Sequence, residues 1–215
     1  MSVELVPSVL ARTKNQFQRR LKIATALHDR VHIDVMDGKF VPTKSISAAT
    51  LATLSLPPNL TFHLMVTEPF DWLALLQHCR ARTVVLHVEL GPRLRPTIQA
   101  VRRLGLRVVL AANPGTPLTR FQPHLRFANG LQLMMVWPGR YRARWLSTSI
   151  SRITWLRRHY PQLKLIVDGG VHRETLPRLV AADIQQAVVG SAIMFSRSPR
   201  QAWVELNRLT KMVKK

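Results

Sequence analysis

Two histidines and two aspartates stand where apolar runs would otherwise continue, and together they make a set suited to binding a divalent metal ion. His32 and Asp34 are two residues apart, so in an extended chain they share one face while Ile33 and Val35 take the other. His63 lies in the run Leu60 to Met65, and Asp168 closes Leu165-Ile166-Val167 just before Gly169-Gly170. A carboxylate at the end of such a run is costly to bury without a partner. Two imidazoles and two carboxylates offer borderline and hard donors suited to zinc, ferrous iron, manganese or cobalt, and they leave coordination positions open for a substrate. One divalent ion is expected, zinc or ferrous iron first. The plainer reading stays open, with His32 and His63 as satisfied core histidines and Asp168 as the first residue of a turn.

For these four to meet, the runs that carry them must lie side by side. Eight short runs rich in Val, Ile and Leu recur along the chain, near Glu4 to Ser8, Val31 to Val35, Leu60 to Met65, Thr83 to Glu89, Arg107 to Ala112, Leu131 to Val136, Lys164 to Asp168 and Gln186 to Val189. The intervals leave room for one helix each, and Phe70 to His78 and Leu94 to Leu104 carry apolar residues at helical period. This alternation predicts a parallel sheet covered by helices, and eight such units close into a (β/α)8 TIM barrel. An open doubly wound sheet is the alternative, but no strand is followed by its G-x-G-x-x-G turn and the chain has only nine glycines. We expect one domain over residues 1–215. In a barrel the chemistry gathers at the C-terminal ends of the strands, where His32, Asp34, His63 and Asp168 are expected to lie.

Composition narrows the remaining classes. No stretch approaches the ~18 uninterrupted apolar residues of a membrane helix, so a soluble, cytoplasmic protein without a membrane partner is expected. The lone Cys79 has no partner for an internal disulfide and reads as a packed helix residue. The formal charge is +21, with 32 Lys plus Arg against 11 Asp plus Glu. Such a field attracts phosphorylated ligands and polyanions. The basic residues are dispersed in pairs such as Arg19-Arg20, Arg102-Arg103 and Arg157-Arg158, without a nucleic-acid-binding signature, so only nonspecific nucleic-acid binding is expected.

The segment His32-Ile33-Asp34-Val35-Met36-Asp37-Gly38-Lys39-Phe40-Val41-Pro42 resembles the signature of the ribulose-phosphate 3-epimerase family. The resemblance continues in order through Pro7-Ser8-Val9-Leu10, His63-Leu64-Met65-Val66, His87, Asn113-Pro114-Gly115-Thr116-Pro117, Val167-Asp168-Gly169-Gly170-Val171 and Val189-Gly190-Ser191-Ala192-Ile193. It implies that His32, Asp34, His63 and Asp168 are metal ligands and that Asp34 and Asp168 are also the catalytic base and acid. It implies substrate contacts from Ser8, His63, Gly139, Gly169, Gly170, Gly190 and Ser191, with Met36, Met65 and Met134 as an apolar cap. It further implies a phosphorylated ketose substrate and a homo-oligomer. The methionines also admit ordinary core packing.

Two stretches depart from the family pattern. Where the family has a glycine-rich Pro-Gly-Phe-Gly-Gly-Gln loop, this chain reads Pro138-Gly139-Arg140-Tyr141-Arg142-Ala143-Arg144. Arg140, Arg142 and Arg144 are either substitute phosphate ligands, since a guanidinium pairs with phosphate oxygens, or solvated side chains. After Pro42 the chain continues Thr43-Lys44-Ser45-Ile46-Ser47 in place of the family's Asn, apolar, Thr and Gly pattern. The resemblance therefore implies interconversion of D-ribulose 5-phosphate and D-xylulose 5-phosphate. Two alternatives stand beside it: a 3-epimerase of another ketose phosphate such as allulose 6-phosphate, and a catalytically silent relative that binds RNA or another polyanion.

Overall fold

The computed structural model describes residues 3–139, 143–146 and 149–212. Eight parallel strands close into a barrel in sequence order: β1 (Glu4–Val9), β2 (Val31–Met36), β3 (Leu60–Met65), β4 (Thr83–His87), β5 (Arg107–Ala112), β6 (Leu131–Met134), β7 (Leu165–Asp168) and β8 (Gln186–Val189), with β8 pairing back onto β1. The architecture is a (β/α)8 TIM barrel. Outside it run α1 (Lys14–Leu27), α2 (Ala48–Ala52), α3 (Leu73–His78), α4 (Leu94–Arg103), α5 (Ser149–His159), α6 (Leu176–Ala181), α7 (Ser191–Met194) and α8 (Pro199–Met212). The connection from β5 to β6 is a 3-10 segment, Leu118–Phe127, interrupted by Pro123. Without an amide hydrogen, Pro123 cannot complete an α-helical ladder.

The two-residue period of each strand sorts its side chains. Val31, Ile33 and Val35 of β2, Leu60, Phe62 and Leu64 of β3, and Leu165 and Val167 of β7 face outward into the main apolar core under the helices. The alternating residues face the barrel interior. There Val85, Val109, Ala111, Ile166 and Val188 form a small apolar plug. Above it, towards the C-terminal strand ends, the interior turns polar. Register fixes this vertical order: Asp34 pairs with His63 across β2 and β3, and Met134 pairs with Asp168 across β6 and β7.

Some boundaries differ from the sequence expectation for physical reasons. The fourth strand stops at His87, and Val88–Arg93 coil into a 3-10 turn, because the Glu89 carboxylate folds back to accept the Asn113 N–H at 2.8 Å. The sixth strand stops at Met134 rather than Val136, and the seventh begins at Leu165 rather than Lys164. The helix read from Phe70 to His78 starts as a 3-10 turn, Pro69–Trp72, before α3.

Candidate active site

The strand pairing carries four polar side chains to one point above the apolar plug. His32 and Asp34 come from β2, His63 from β3 and Asp168 from β7. One ligand atom from each lies within 4.8 Å of the other three. All are buried, with His32 and His63 at 1% and 0% exposure and the two aspartates at 8% each. His63 Nδ1 stands 3.1 Å from Asp34 Oδ1 and 3.3 Å from Asp168 Oδ2. His32 Nε2 faces the same two oxygens at 3.5 and 3.7 Å.

The His32 contact decides whether a metal fits. Its Nε2 is fully buried and has no hydrogen-bond partner among the described residues, yet it points between two carboxylates at distances too long for a good hydrogen bond. A shared cation satisfies such an orphaned nitrogen, and two imidazole nitrogens with two carboxylate oxygens are a suitable donor set. The residues therefore fit a divalent ion. Electrostatics agree. Burial alone would raise the Asp34 carboxyl, but the His63 hydrogen bond and the neighbouring His32 and His63 rings outweigh it and hold it far below the usual carboxylate range. Burial likewise opposes charge on His63, and hydrogen bonds and charge from Asp168 and Asp34 overcome it, raising the ring to about 9. The pair of carboxylates demands a positive charge at this point.

Behind these four runs a chain of polar groups that sequence reasoning left without a role. His63 Nε2 lies 2.8 Å from His87 Nε2, and His87 Nδ1 lies 3.1 Å from Glu89 Oε2. Glu89 Oε1 also accepts the Asn113 N–H and the Thr116 hydroxyl. Burial would raise the Glu89 carboxyl, but His87, Thr116 and the Asn113 amide outweigh it and bring it down to about 2. Glu89 is thus an acceptor only, so His87 donates to it from Nδ1 and must accept at Nε2. His63 then donates from Nε2 and turns the Nδ1 lone pair towards the two aspartates when neutral. A carboxylate behind a ligating histidine commonly sets its tautomer, and here one more imidazole intervenes. Gln132 on β6 was also missed. Its Nε2 donates to Asp168 Oδ2 at 2.9 Å, and it is fully buried. Its signal was an amide within the apolar run Leu131-Gln132-Leu133, on the same face as Met134.

Above the ligand set opens a cavity of about 540 Å³. Asp34 and Asp168 reach it, together with Ser8, Met36, Met65, Met134, Gly139, Gly169, Gly170, Gly190 and Ser191. His32 and His63 are not on its wall and stand beneath it. Gly169 and Gly170 have φ of 96° and 65°, and a Cβ on either would lie 2.5 Å from Val136 Cγ2 or 2.8 Å from Trp145 Cδ1. Any side chain at these positions would force the floor apart. Arg140 and Arg142 lie outside the described residues. Arg144 is exposed and is not on the cavity wall; it borders an adjoining depression with Pro42, Thr43 and Trp137 that shares Pro138, Gly139 and Ala143 with the cavity. Asp37, inside the signature segment, is not part of the ligand cluster. Its Oδ1 accepts the amides of Lys39 and Phe40, and its Oδ2 accepts the amide and hydroxyl of Thr67. It ties the loop after β2 to the loop after β3.

Comparison with known proteins gives a consistent picture. Residues 4–194 match the model of the family described as "Ribulose-phosphate 3 epimerase family". The chain is 30% identical over 177 residues to the cytoplasmic isoform of ribulose-phosphate 3-epimerase from Oryza sativa subsp. japonica, covering 80% of this chain and 78% of that protein. It is 28% identical over 214 residues to ribulose-phosphate 3-epimerase of Bacillus subtilis (strain 168), covering 95% and 98%. Among solved structures, 3-hexulose-6-phosphate synthase from Salmonella typhimurium superposes with a TM-score of 0.71 at 13% identity, over 99% of this chain and 100% of that one. At that identity the likeness shows the fold alone.

Proposed function

Because the chain belongs to the ribulose-phosphate 3-epimerase family, we propose that it interconverts D-ribulose 5-phosphate and D-xylulose 5-phosphate. The observation that carries this reading is the pair Asp34 and Asp168, which rise from β2 and β7 and both reach one cavity. Inverting a carbon beside a ketone requires a proton to leave one face and another to arrive at the opposite face, so two carboxyl groups must flank the substrate. One aspartate takes the C3 proton while the other, protonated, delivers to the other face, and the roles exchange in the reverse direction. His32, Asp34, His63 and Asp168 would hold a divalent cation, zinc or ferrous iron first, whose chemistry when bound is stabilisation of negative charge on the substrate oxygens. Gln132 holds the Asp168 carboxylate in place through its amide. Met36, Met65 and Met134 line the cavity with apolar surface that excludes water from the enediolate formed between the proton transfers. Gly169, Gly170, Gly190 and Ser191 bring backbone close to the substrate's phosphate end. The chain acts as one domain in a homo-oligomer, and the relative named as a cytoplasmic isoform supports a cytoplasmic location.

The altered segment Pro138 to Arg144 favours a second reading, a 3-epimerase for a longer ketose phosphate such as allulose 6-phosphate. The deciding experiment measures steady-state conversion of ribulose 5-phosphate by metal-reconstituted protein beside Asp168→Asn and chelated samples. We expect turnover to fall in the variant by roughly 10²- to 10⁴-fold and to vanish on chelation. Wild-type protein that binds metal but does not turn over would point to the longer substrate. Protein with neither metal nor turnover would instead support a silent, polyanion-binding relative.

A further inference from the structure

The opposite end of the barrel carries a feature that the epimerase reading does not use. At the N-terminal mouth, a cavity of about 630 Å³ is lined by Arg30, Arg82, Arg107 and Lys164, which enter from the starts of β2, β4, β5 and β7. Among the described residues no carboxylate is on its wall. Glu4 lies nearby and pairs with Arg30 Nη2 at 2.8 Å, while Arg82 Nη1 donates to the neutral Asn59 Oδ1 at 2.9 Å. The cations consequently act on one another. Burial depresses the Lys164 ammonium, and Arg30 and Arg107 push it down further against the opposing pull of Glu4. The inner end of the cavity is also polar. It reaches Gln132, whose Oε1 is fully buried and has no hydrogen-bond partner among the described residues.

We propose that this mouth is a second anion site, for a small ligand carrying two or more linked phosphate groups. Adjacent strands lie about 4.8 Å apart, and β2 and β7 are three strands apart around the ring. The four cations enter from four different strands around the mouth, so a ligand with linked phosphate groups presents oxygens to more of them at once than a single phosphate does. Each guanidinium can grip phosphate oxygens with a two-pronged bond. Bound anion would offset the charge that Arg30 and Arg107 impose on Lys164, and a phosphate hydroxyl or accompanying water would satisfy Gln132 Oε1. A compact diphosphate can reach inward to Gln132 between the strand starts, where the extended backbone of a nucleic acid would stay at the rim. This site does not depend on the epimerase assignment.

The test uses the full-length, metal-loaded protein and inorganic diphosphate, with binding measured by titration calorimetry. Two triple variants are compared: Arg82→Gln/Arg107→Gln/Lys164→Gln at the mouth, and Arg95→Gln/Arg103→Gln/Arg208→Gln on exposed helix faces. Both remove three charges. We expect the mouth variant to weaken diphosphate binding by about tenfold or more and the helix variant by less than about twofold. Ribulose 5-phosphate should not displace the diphosphate, and the epimerase kcat/KM of the mouth variant should be unchanged. Equal weakening in both variants would overturn the site and leave only general attraction by the +21 charge. Full displacement by ribulose 5-phosphate would place the anion in the upper cavity, and wild-type protein that fails to bind would end the proposal. Tighter binding of a short single-stranded RNA, lost in the mouth variant, would reassign the mouth to nucleic acid.

Discussion

At the scale of single residues, Glu89 touches neither the cavity nor the four-residue cluster, yet it dictates whether His63 Nδ1 presents a lone pair or a proton to the aspartates. Glu89→Gln presents an amide that can donate to His87 Nδ1, which reverses the donor order through His87 to His63. The variant should bind zinc or cobalt roughly 10- to 100-fold more weakly, read by competition with a chromophoric chelator. Unchanged affinity would show that the His87–Glu89 pair only packs. The same carboxyl makes stability depend on pH. Its value is about 2 in the fold against an ordinary 4.5, so its contribution is complete above about pH 4.5 and is lost as the pH falls towards 2. The gap in urea midpoint between wild type and Glu89→Gln should therefore narrow across that window. His32, Asp34, His63 and Asp168 were legible in the sequence because each polar residue interrupts an apolar run with the right parity. Glu89 was hidden, because an acidic residue at a strand end looks solvated until the fold brings the Asn113 amide and Thr116 hydroxyl to it.

At the scale of elements, the strands are rigid and the loops above them need ties. Asp37 supplies one: two of its hydrogen bonds brace its own loop after β2 and two tie it to Thr67 after β3, beside Met36 and Met65. Asp37→Ala should cost about 2–4 kcal/mol in urea unfolding, since bonds to an ionised group are each worth roughly 1.5–3 and neighbours relax. It should raise KM more than it lowers kcat, because it loosens the cavity wall without touching Asp34 or Asp168. Arg152 performs a similar task from α5, donating to the carbonyls of Asn113, Pro114 and Thr116. The eight strands were readable from Val, Ile and Leu runs, and the strand boundaries at β3, β5 and β8 coincide with those runs. The connection Leu118–Phe127 was not readable as 3-10, since its apolar spacing resembles a helix and only Pro123 signals the tighter coil. The loop from Pro138 onward departs from the family pattern in composition, and sequence alone could not say which way Arg144 turns.

At the scale of the whole molecule, the charge of +21 sits on a closed ring of strands. Self-repulsion opposes compactness, and salt screens it within about 10 Å at 0.1 M. Raising sodium chloride from 50 to 500 mM should lift Tm by roughly 2–4 °C, equivalent to about 1 kcal/mol for a chain of this size. A fall in Tm would mean that attractive pairs such as Arg93 with Glu68 outweigh the repulsion. Because the barrel closes on itself, it leaves no unpaired strand edge, so weakening the repulsion does not invite sheet-to-sheet aggregation. The same closure leaves a thin partition between the two mouths. His32 belongs to the metal-ligand set on one side and lines the lower cavity on the other. Its ring nitrogens, labelled with ¹⁵N, would therefore serve as a built-in gauge: one resonance that registers metal arriving from above, and a separate perturbation when an anion arrives from below.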